Sequence, residues 1–345
     1  MKAIVQTSYG DPEQVLVPGE LEVPTPKPDE VLVRVHATSV NTPDHIGTLG
    51  VPYALRPLVV GLTSPVSPVR GSDVAGVVEA VGAHVVDLVP GDEVFGSVWI
   101  ASGFARGAPG AFCAYTVVPA SQLAKKPARI SFDEAAGAVM SGVTALQALR
   151  DVGQIRAGTR VLINGASGGL GTFAVQIAKA MGAEVTGVCS TRNVAFVQSL
   201  GADHVIDYTR EDYTKGEARF DVILDNVMNH PPSATAAVLA PGGRFIPNSV
   251  GADRWFGSLP QMVYIGLLKP KGWSTVDYRP VRENLEALAA LLESGAVHVV
   301  VDRTYPLEQA GAAVAHMASR RARGKIVIHV DHAASPVLAL PSLVR

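Results

Sequence analysis

The sequence predicts an α/β protein in which a doubly wound parallel sheet is joined to a separate β-rich domain. Two changes of pattern along the chain carry this prediction. Up to about residue 128, short apolar runs lie between glycine and proline residues, whereas strand-like and helix-like segments alternate from residue 129 to about 268. Such alternation is typical of βαβ units, whose strands pair in parallel.

The first 128 residues contain several short predicted strands. Val31–Ala37, Val74–Val81 and Asp92–Val98 are apolar runs bounded by turn-forming residues. Because glycine and proline interrupt regular structure, these boundaries separate the runs into individual strands. Many short strands joined by such turns indicate a barrel-like or sandwich-like β domain.

A capping box opens the alternating region. The Ser131 side chain can accept a hydrogen bond from the Glu134 backbone, and the Glu134 side chain can return one. The predicted strands are Arg160–Asn164, Glu184–Cys189, His204–Ile206, Phe220–Leu224 and Arg244–Pro247, with helices ending near Met181 and Leu200. After residue 268 the pattern predicts a helix at Val281–Leu292, strands at Val297–Val301 and Lys325–Val330, and an irregular tail at 332–345.

The composition excludes several classes of protein. The 345 residues are 48% hydrophobic and 17% charged, which suits buried cores and argues against disorder. A formal net charge of −2 gives no electrostatic basis for binding nucleic acid or an anionic membrane. No apolar stretch suits a membrane span or signal peptide, and the two cysteines form no metal or disulfide pattern. We therefore expect a cytoplasmic protein with neither nucleic-acid nor membrane partners.

A glycine-rich loop carries the strongest functional signal. It covers residues 165–171, directly after the predicted strand Arg160–Asn164 and before a predicted helix from Thr172 to Met181. This order matches the dinucleotide-binding fingerprint, with Ala166 at the first glycine position and Gly168 and Gly171 at the second and third. Gly168 would let the backbone approach a pyrophosphate, and the helix N-terminus would attract its charge. The alternative is a glycine-rich turn without a ligand.

The end of the next predicted strand indicates which dinucleotide binds. Enzymes that use NAD commonly carry Asp or Glu there, about 20 residues after the loop, to bind the ribose 2′-hydroxyl. Here the chain reads Ser190-Thr191-Arg192, so hydroxyls and a guanidinium replace the carboxylate. Arg192 can bind a 2′-phosphate through two parallel hydrogen bonds, which favours NADPH. The alternative is a solvated arginine at the start of a helix.

A set of short motifs, taken in order, resembles a known family. The motifs are Ser39–Asp44, Gly71–Val78, Pro90–Val94, Gly142–Leu146, the glycine loop, Leu200–Asp203 and Arg323–Val327. The chain resembles the zinc-free branch of the medium-chain dehydrogenase/reductase family, the quinone oxidoreductase and ζ-crystallin-like proteins. The resemblance implies a Rossmann domain at residues 129–268 and a GroES-like catalytic domain formed by residues 1–128 and 269–345. It also implies a cleft between the domains and a homodimer.

Two positions separate this chain from the zinc-dependent branch of that family. That branch places cysteine where Asn41 stands and Gly-His-Glu where Gly71-Ser72-Asp73 stands. Zinc sites use three or four cysteine, histidine or carboxylate ligands. The resemblance therefore implies an enzyme without a metal, and we expect no metal ligands.

The fingerprint and the resemblance together imply the site residues. Asn41 is the first candidate for catalysis because of its family position, and Tyr53 and His45 are candidates for proton donation. A family-typical aromatic residue is missing between Thr42 and Leu49, which leaves the proton donor open. The predicted cofactor-binding residues are Asn41, Thr144, Ser167, Gly168, Gly169, Leu170, Ser190, Thr191, Arg192, Tyr208, Asn226, Val250 and Lys325.

Chemistry without a metal favours one reaction class. Alcohol oxidation needs zinc or a general base to stabilise an alkoxide. Hydride transfer from NADPH to an enone or a quinone instead leaves charge on a delocalised enolate or hydroquinone anion, which donors in the cleft can stabilise. We therefore expect an NADPH-dependent reductase of activated carbon–carbon double bonds or quinones. The alternatives are a zinc-free alcohol or carbonyl oxidoreductase and an NADPH-binding protein without turnover.

Overall fold

The structure, a computed structural model, describes residues 1–51, 53, 61–98, 110–249 and 272–332. Its strands are β1 (Lys2–Val5), β2 (Val17–Glu20), β3 (Glu30–Ser39), β4 (Asp73–Val81), β5 (Glu93–Ser97), β6 (Tyr115–Pro119), β7 (Leu123–Lys125), β8 (Arg160–Asn164), β9 (Glu184–Cys189), β10 (His204–Asp207), β11 (Phe220–Asp225), β12 (Leu239–Pro247), β13 (Val301–Pro306) and β14 (Lys325–His329). Its α-helices are α1 (Pro12–Val15), α2 (Thr42–Leu49), α3 (Phe132–Gln147), α4 (Gly169–Ala180), α5 (Val194–Ser199), α6 (Pro232–Ala236), α7 (Arg282–Glu293) and α8 (Ala310–Ala318). In these ranges no helix has the length and apolarity to cross a membrane. The predicted α/β fold is confirmed. Val250 and 333–345 lie outside the described residues.

A five-stranded sheet is parallel throughout, in the order β10-β9-β8-β11-β12. All five strands predicted between residues 160 and 247 are confirmed. In β8 the side chains of Val161, Leu162 and Ile163 are fully buried. Val161 and Ile163 belong to one hydrophobic core and Leu162 to another, so both faces of the sheet are covered. This explains why the strand is apolar without alternation.

Helix α3 joins this sheet to the β-rich region, because it packs against α4 and also against β3, β4 and β5. The predicted capping box at its start is confirmed. The Ser131 hydroxyl accepts from the Glu134 backbone N–H at 3.2 Å, and the Glu134 carboxylate accepts from the Ser131 backbone N–H at 2.8 Å. At Gly142 a Cβ atom would lie 2.8 Å from the end of the Leu288 side chain, so glycine gives that side chain of α7 room to pack closely on α3.

A seven-stranded sheet forms the β-rich region, in the order β13-β14-β3-β4-β5-β7, with β6 also paired to β3. The predicted strands over 31–37, 74–81 and 92–98 are confirmed as β3, β4 and β5. Strand β14 pairs antiparallel with β3, where Ile328 lies opposite Thr38. Residues from the last part of the chain therefore complete a sheet that the first part begins. The domain boundaries at 128 and 268 stay a prediction.

Two predicted elements need correction. The strand predicted at Val297–Val301 is wrong, because β13 begins at Val301 and ends at Pro306. The Val297 N–H instead donates to the Leu291 carbonyl, and its side chain is buried in a core that contains residues of both helices and strands. The helix after the glycine loop begins at Gly169 rather than Thr172, because the loop glycines form its first turn.

Candidate active site

A cleft of about 780 Å³ runs along the carboxyl ends of β8, β9, β11 and β12. The opposite wall consists of Asn41 and the start of α2, the end of α8 and the segment leading into β14. Open parallel sheets bind ligands at this edge. The volume lies within the range of roughly 300–1,000 Å³ that is common for small-molecule sites. The cleft is therefore the candidate active site.

The glycine loop lies at the centre of the cleft. A Cβ atom on Gly168 would have as its nearest neighbour the Gly165 carbonyl oxygen, at 3.4 Å, so the space above Gly168 is open. A Cβ atom on Gly171 would collide with that same oxygen and with the Ala166 backbone. Gly171 therefore permits close packing of the loop on α4, while Gly168 leaves the N-terminus of α4 accessible. Ser167, Gly169 and Leu170 also line the cleft.

One end of the cleft is formed by the carboxyl end of β9. Ser190, Arg192 and Tyr208 line the cleft there, as predicted positions for the adenosine half of a dinucleotide. Thr191 is not among the described lining residues. Its hydroxyl donates to the Asp207 carboxylate at 2.6 Å, which turns it towards β10.

Two residues that the sequence did not indicate hold Arg192 in place. The Arg323 guanidinium donates to the Arg192 carbonyl at 2.9 Å and to the Asn193 side-chain oxygen at 2.7 Å. The Asn193 amide then donates to the Ser167 hydroxyl at 3.0 Å. This chain of contacts connects the glycine loop to the segment before β14. The run of arginines before Gly324-Lys325 indicates a basic segment in the sequence. The partners of Arg323 (Arg192 and Asn193) cannot be identified from the sequence because they are about 130 positions away.

The Asn41 side chain is held between two charged residues. Lys325 Nζ donates to Asn41 Oδ1 at 2.5 Å, and Asn41 Nδ2 donates to the Asp73 carboxylate at 2.8 Å. Because an ammonium only donates and a carboxylate only accepts, the orientation of the carboxamide is unambiguous. Asn41 and Lys325 both line the cleft, although each is almost fully buried. The structure thus brings together two predicted site residues.

Burial shifts the pKa of each ionisable group in this network. It raises the pKa of Asp73, against the positive charge of Lys325. It raises the pKa of Asp44 to about 7, against hydrogen bonds from two backbone N–H groups. Burial lowers the pKa of Lys325, against the negative charges of Asp73 and Asp44. The Lys325 ammonium at the Asn41 wall therefore offsets buried negative charge, mainly that of Asp73 and to a smaller extent that of Asp44.

The donor set at this wall does not fit a zinc ion. An ion bound by Asn41 Oδ1 would lie beside the Lys325 ammonium, which is 2.5 Å from that oxygen. Ser72 is buried, and its carbonyl accepts from the Ser97 hydroxyl at 3.0 Å. Cys113 is not among the described lining residues of the cleft, and burial raises the pKa of its thiol to about 12. Within the described ranges, no group of three or more histidine, cysteine or acidic side chains could hold a metal.

The other end of the cleft, at β11 and β12, is lined by side-chain amides. Asn248 Nδ2 donates to Asn226 Oδ1 at 3.0 Å, and Asn226 Nδ2 donates to the Asn164 carbonyl at 3.2 Å. Thr144 of α3 also lines the cleft. Tyr53 is partly buried and is not among the described lining residues.

Comparison with known proteins identifies the family. Residues 27–128 match the alcohol dehydrogenase GroES-like domain, and residues 200–328 match the zinc-binding dehydrogenase family. The chain is 32% identical to 2-methylene-furan-3-one reductase from Solanum lycopersicum over 95% of this chain and 79% of that protein. The quinone oxidoreductase from Coxiella burnetii shares 28% identity, with a TM-score of 0.82 over 96% of this chain and 99% of that one. The Escherichia coli quinone oxidoreductase complexed with NADPH shares 26% identity, with a TM-score of 0.76 over 95% of this chain and 100% of that one. The resemblance predicted from the motifs is confirmed, and the chain belongs to the medium-chain dehydrogenase/reductase family of oxidoreductases.

Proposed function

We propose that the protein is an NADPH-dependent reductase that transfers hydride to the activated double bond of an enone or to a quinone, without zinc. The arrangement of the cleft carries this proposal. An open glycine loop faces a wall on which Asn41 is held by Lys325 and Asp73. The names of the similar proteins describe a methylene-furanone and quinones as substrates. These acceptors share a carbon–carbon double bond conjugated to a carbonyl group.

The cleft offers matching groups along the length of NADPH, which supplies the hydride when bound. The backbone at Gly168 and Gly169 would receive the pyrophosphate, because the N-terminus of α4 is open there. Arg192 would bind the 2′-phosphate, since it forms no ion pair with a carboxylate within the described part of the chain. Thr144 and Asn226 would lie beside the nicotinamide half. For Val250 and Thr191, a contact with the cofactor stays a prediction.

The wall at Asn41 suits the charge that develops during reduction. Hydride arrival leaves negative charge on the acceptor oxygen, and a proton from water completes the reaction. The Asn41 carboxamide supplies a polar group, and the Lys325 ammonium behind it supplies a positive field. Both are held rigidly by buried hydrogen bonds, so they need no reorganisation when the charge appears. Tyr53 stays a prediction as proton donor.

Replacing Arg192 by alanine should weaken NADPH binding about tenfold, or roughly 1.4 kcal/mol, and leave NADH binding unchanged. The physical reason is that only NADPH carries the 2′-phosphate. Dissociation constants from the fluorescence of the reduced cofactors measure both effects. Arg156→Ala is the matched control, because Arg156 is an exposed arginine that does not line the cleft. Equal losses for the two cofactors would contradict the assigned role of Arg192.

Deuterium transfer tests the proposed reaction. NADPH labelled at the transferred position should deliver deuterium to the β-carbon of an α,β-unsaturated ketone, detected by mass spectrometry and NMR. Label on the carbinol carbon would show a carbonyl reductase instead. Absence of turnover with a broad panel of enones, quinones, aldehydes and ketones would support the non-catalytic alternative.

Prior dialysis against a metal chelator should not reduce the rate of NADPH oxidation. A loss of activity that added zinc restores would refute the zinc-free mechanism.

Two predictions concern the protein as a whole. The family resemblance predicts a homodimer, and the composition predicts a cytoplasmic location without nucleic-acid or membrane partners. A small-molecule acceptor is the partner that the cleft supports, because its volume matches that class of ligand.

A further inference from the structure

Two histidine side chains meet beside the seven-stranded sheet, away from the cleft. His36 lies on β3, and His332 follows β14, the strand that pairs with β3. The centres of their rings are 5.2 Å apart, with an angle of 52° between the ring planes. Neither histidine is among the described lining residues of the cleft. The pair therefore belongs to a different part of the molecule from the candidate active site.

Each of the two rings buries a nitrogen atom that has no hydrogen-bond partner. These atoms are His36 Nε2 and His332 Nδ1. Buried polar atoms in folded proteins nearly always have a partner, and one without a partner indicates a bound water, an ion or a functional role. Two such atoms on neighbouring rings point to a single ligand that both of them contact.

Both nitrogen atoms can offer a lone pair. His332 Nε2–H donates to the Val35 carbonyl at 2.6 Å. Because a carbonyl oxygen only accepts, Nε2 carries the proton, and in the neutral form of the ring Nδ1 carries the lone pair. Burial, followed by the positive charges of Arg34, His332 and His329, lowers the pKa of His36 to about 4. The His36 ring is therefore neutral near neutral pH, and it can place its lone pair on Nε2.

The spacing and the surroundings of the rings suit one metal ion. With Zn–N distances of about 2.0–2.1 Å, two imidazoles on a tetrahedral zinc ion have ring centres roughly 5 Å apart. A histidine that binds a metal commonly donates its other N–H to a carbonyl or carboxylate, as His332 does to Val35. The His36 ring is held by stacking on the Phe132 ring, with 4.5 Å between the ring centres. Both ligands are thus oriented before an ion arrives.

We propose that His36 and His332 bind one divalent transition-metal ion of the zinc type, which joins β3 to the segment after β14. Imidazole nitrogen suits zinc, copper and nickel, whereas magnesium and calcium prefer oxygen ligands. Within the described ranges no third histidine, cysteine or acidic side chain completes a metal-binding group, so water molecules would complete the coordination. Both histidines are partly exposed, so the pair lies near the surface. The ion would stabilise the sheet and take no part in hydride transfer.

Zinc titration of the full chain, after dialysis against a chelator, tests the site. We expect Zn²⁺ to bind and to raise the midpoint of thermal unfolding by a few degrees, because an ion that binds only the folded state stabilises it. His36→Gln and His332→Gln should each weaken Zn²⁺ binding at least about tenfold in calorimetry. His204→Gln is the matched control and should leave the affinity unchanged, because His204 is an exposed histidine that contacts Glu184.

Pulsed electron paramagnetic resonance of bound Cu²⁺ provides a second readout, because it detects the nitrogen atoms of coordinated imidazole. We expect two imidazoles on Cu²⁺ in the natural protein and in His204→Gln, and one in each of the two site variants. If His36→Gln does not fold, His332→Gln decides the outcome alone. A natural protein that binds no Zn²⁺, or equal Zn²⁺ affinities of the natural protein and His332→Gln, would overturn the inference.

Discussion

Gly168→Val should fold like the natural chain and lose NADPH affinity by at least about a hundredfold, or roughly 2.8 kcal/mol. In the free protein a Cβ atom at this position meets only the Gly165 oxygen, at an ordinary 3.4 Å. Its φ of −83° is accessible to valine. The added side chain would instead fill the space through which the pyrophosphate reaches the N-terminus of α4. Calorimetry with NADPH, alongside urea unfolding without ligand, measures the two effects separately.

Two other glycines serve as controls for Gly168. Gly216 also has a negative φ, of −69°, and its Cβ atom would meet the Tyr213 carbonyl oxygen at an ordinary 3.5 Å. It does not line the cleft, so Gly216→Val should leave NADPH affinity unchanged. Gly171→Ala should destabilise the fold itself, because its Cβ atom would collide with the Gly165 oxygen. Unchanged NADPH affinity in Gly168→Val would mean that the cofactor does not pass over this loop.

Lys325→Met should lower the free energy of unfolding by about 3–5 kcal/mol, the usual effect of removing one partner from a buried charge network. Methionine has a similar length, so the loss comes mainly from Asp73 and Asp44, which keep their burial without the balancing ammonium. Urea unfolding measures the loss. Lys125→Met removes an exposed pair with Asp92, and a change of about 1 kcal/mol or less is expected there.

The destabilisation caused by Lys325→Met should grow with pH. The pKa of Asp44 rises from the usual 3.8 to about 7 in the folded chain, so the folded state binds a proton that the unfolded state releases between these values. The stability linked to this proton is fully present below pH 3.8 and is lost as the pH rises through about 7. When Lys325 is replaced by methionine, no ammonium offsets the negative charge that Asp73 and Asp44 carry at high pH, so the loss of stability is larger there. A loss no larger than that of Lys125→Met, or a second change of Asp73 to Asn that recovers nothing, would contradict the assigned balance.

The parts of the fold that depend on local signals could be predicted from the sequence. Strand β8, the glycine loop and α4 follow one another without a gap, and each has its own composition, so the Rossmann pattern is visible in a short window. The capping box at Ser131 is equally local. The apolar segment that begins at Val297 is different, because an apolar segment that packs on a core without pairing as a strand has the same composition as a buried strand.

The parts of the site that depend on tertiary pairing could not be predicted. The sequence predicts both Thr191 and Arg192 as cofactor-binding residues. In the structure the Thr191 hydroxyl donates to Asp207 at the end of the next strand, whereas Arg192 lines the cleft. Asn41 is predicted as a site residue from its place in a family motif, but its contact with Lys325 depends on the pairing of β14 with β3. Residues that the chain separates widely meet only after those sheets form.

The contact between Lys325 and Asn41 has a consequence for biosynthesis. The two residues lie 284 positions apart. At a synthesis rate of roughly 5–20 residues per second, the first wall of the cleft waits on the order of 15–60 s for the segment that completes it. Within that interval the glycine loop is made well before the groups around Arg320 and Lys325. Because a ligand stabilises only the state that binds it, NADPH would favour finished molecules over nascent ones. NADPH would thus bind tightly only to chains whose translation has passed residue 325.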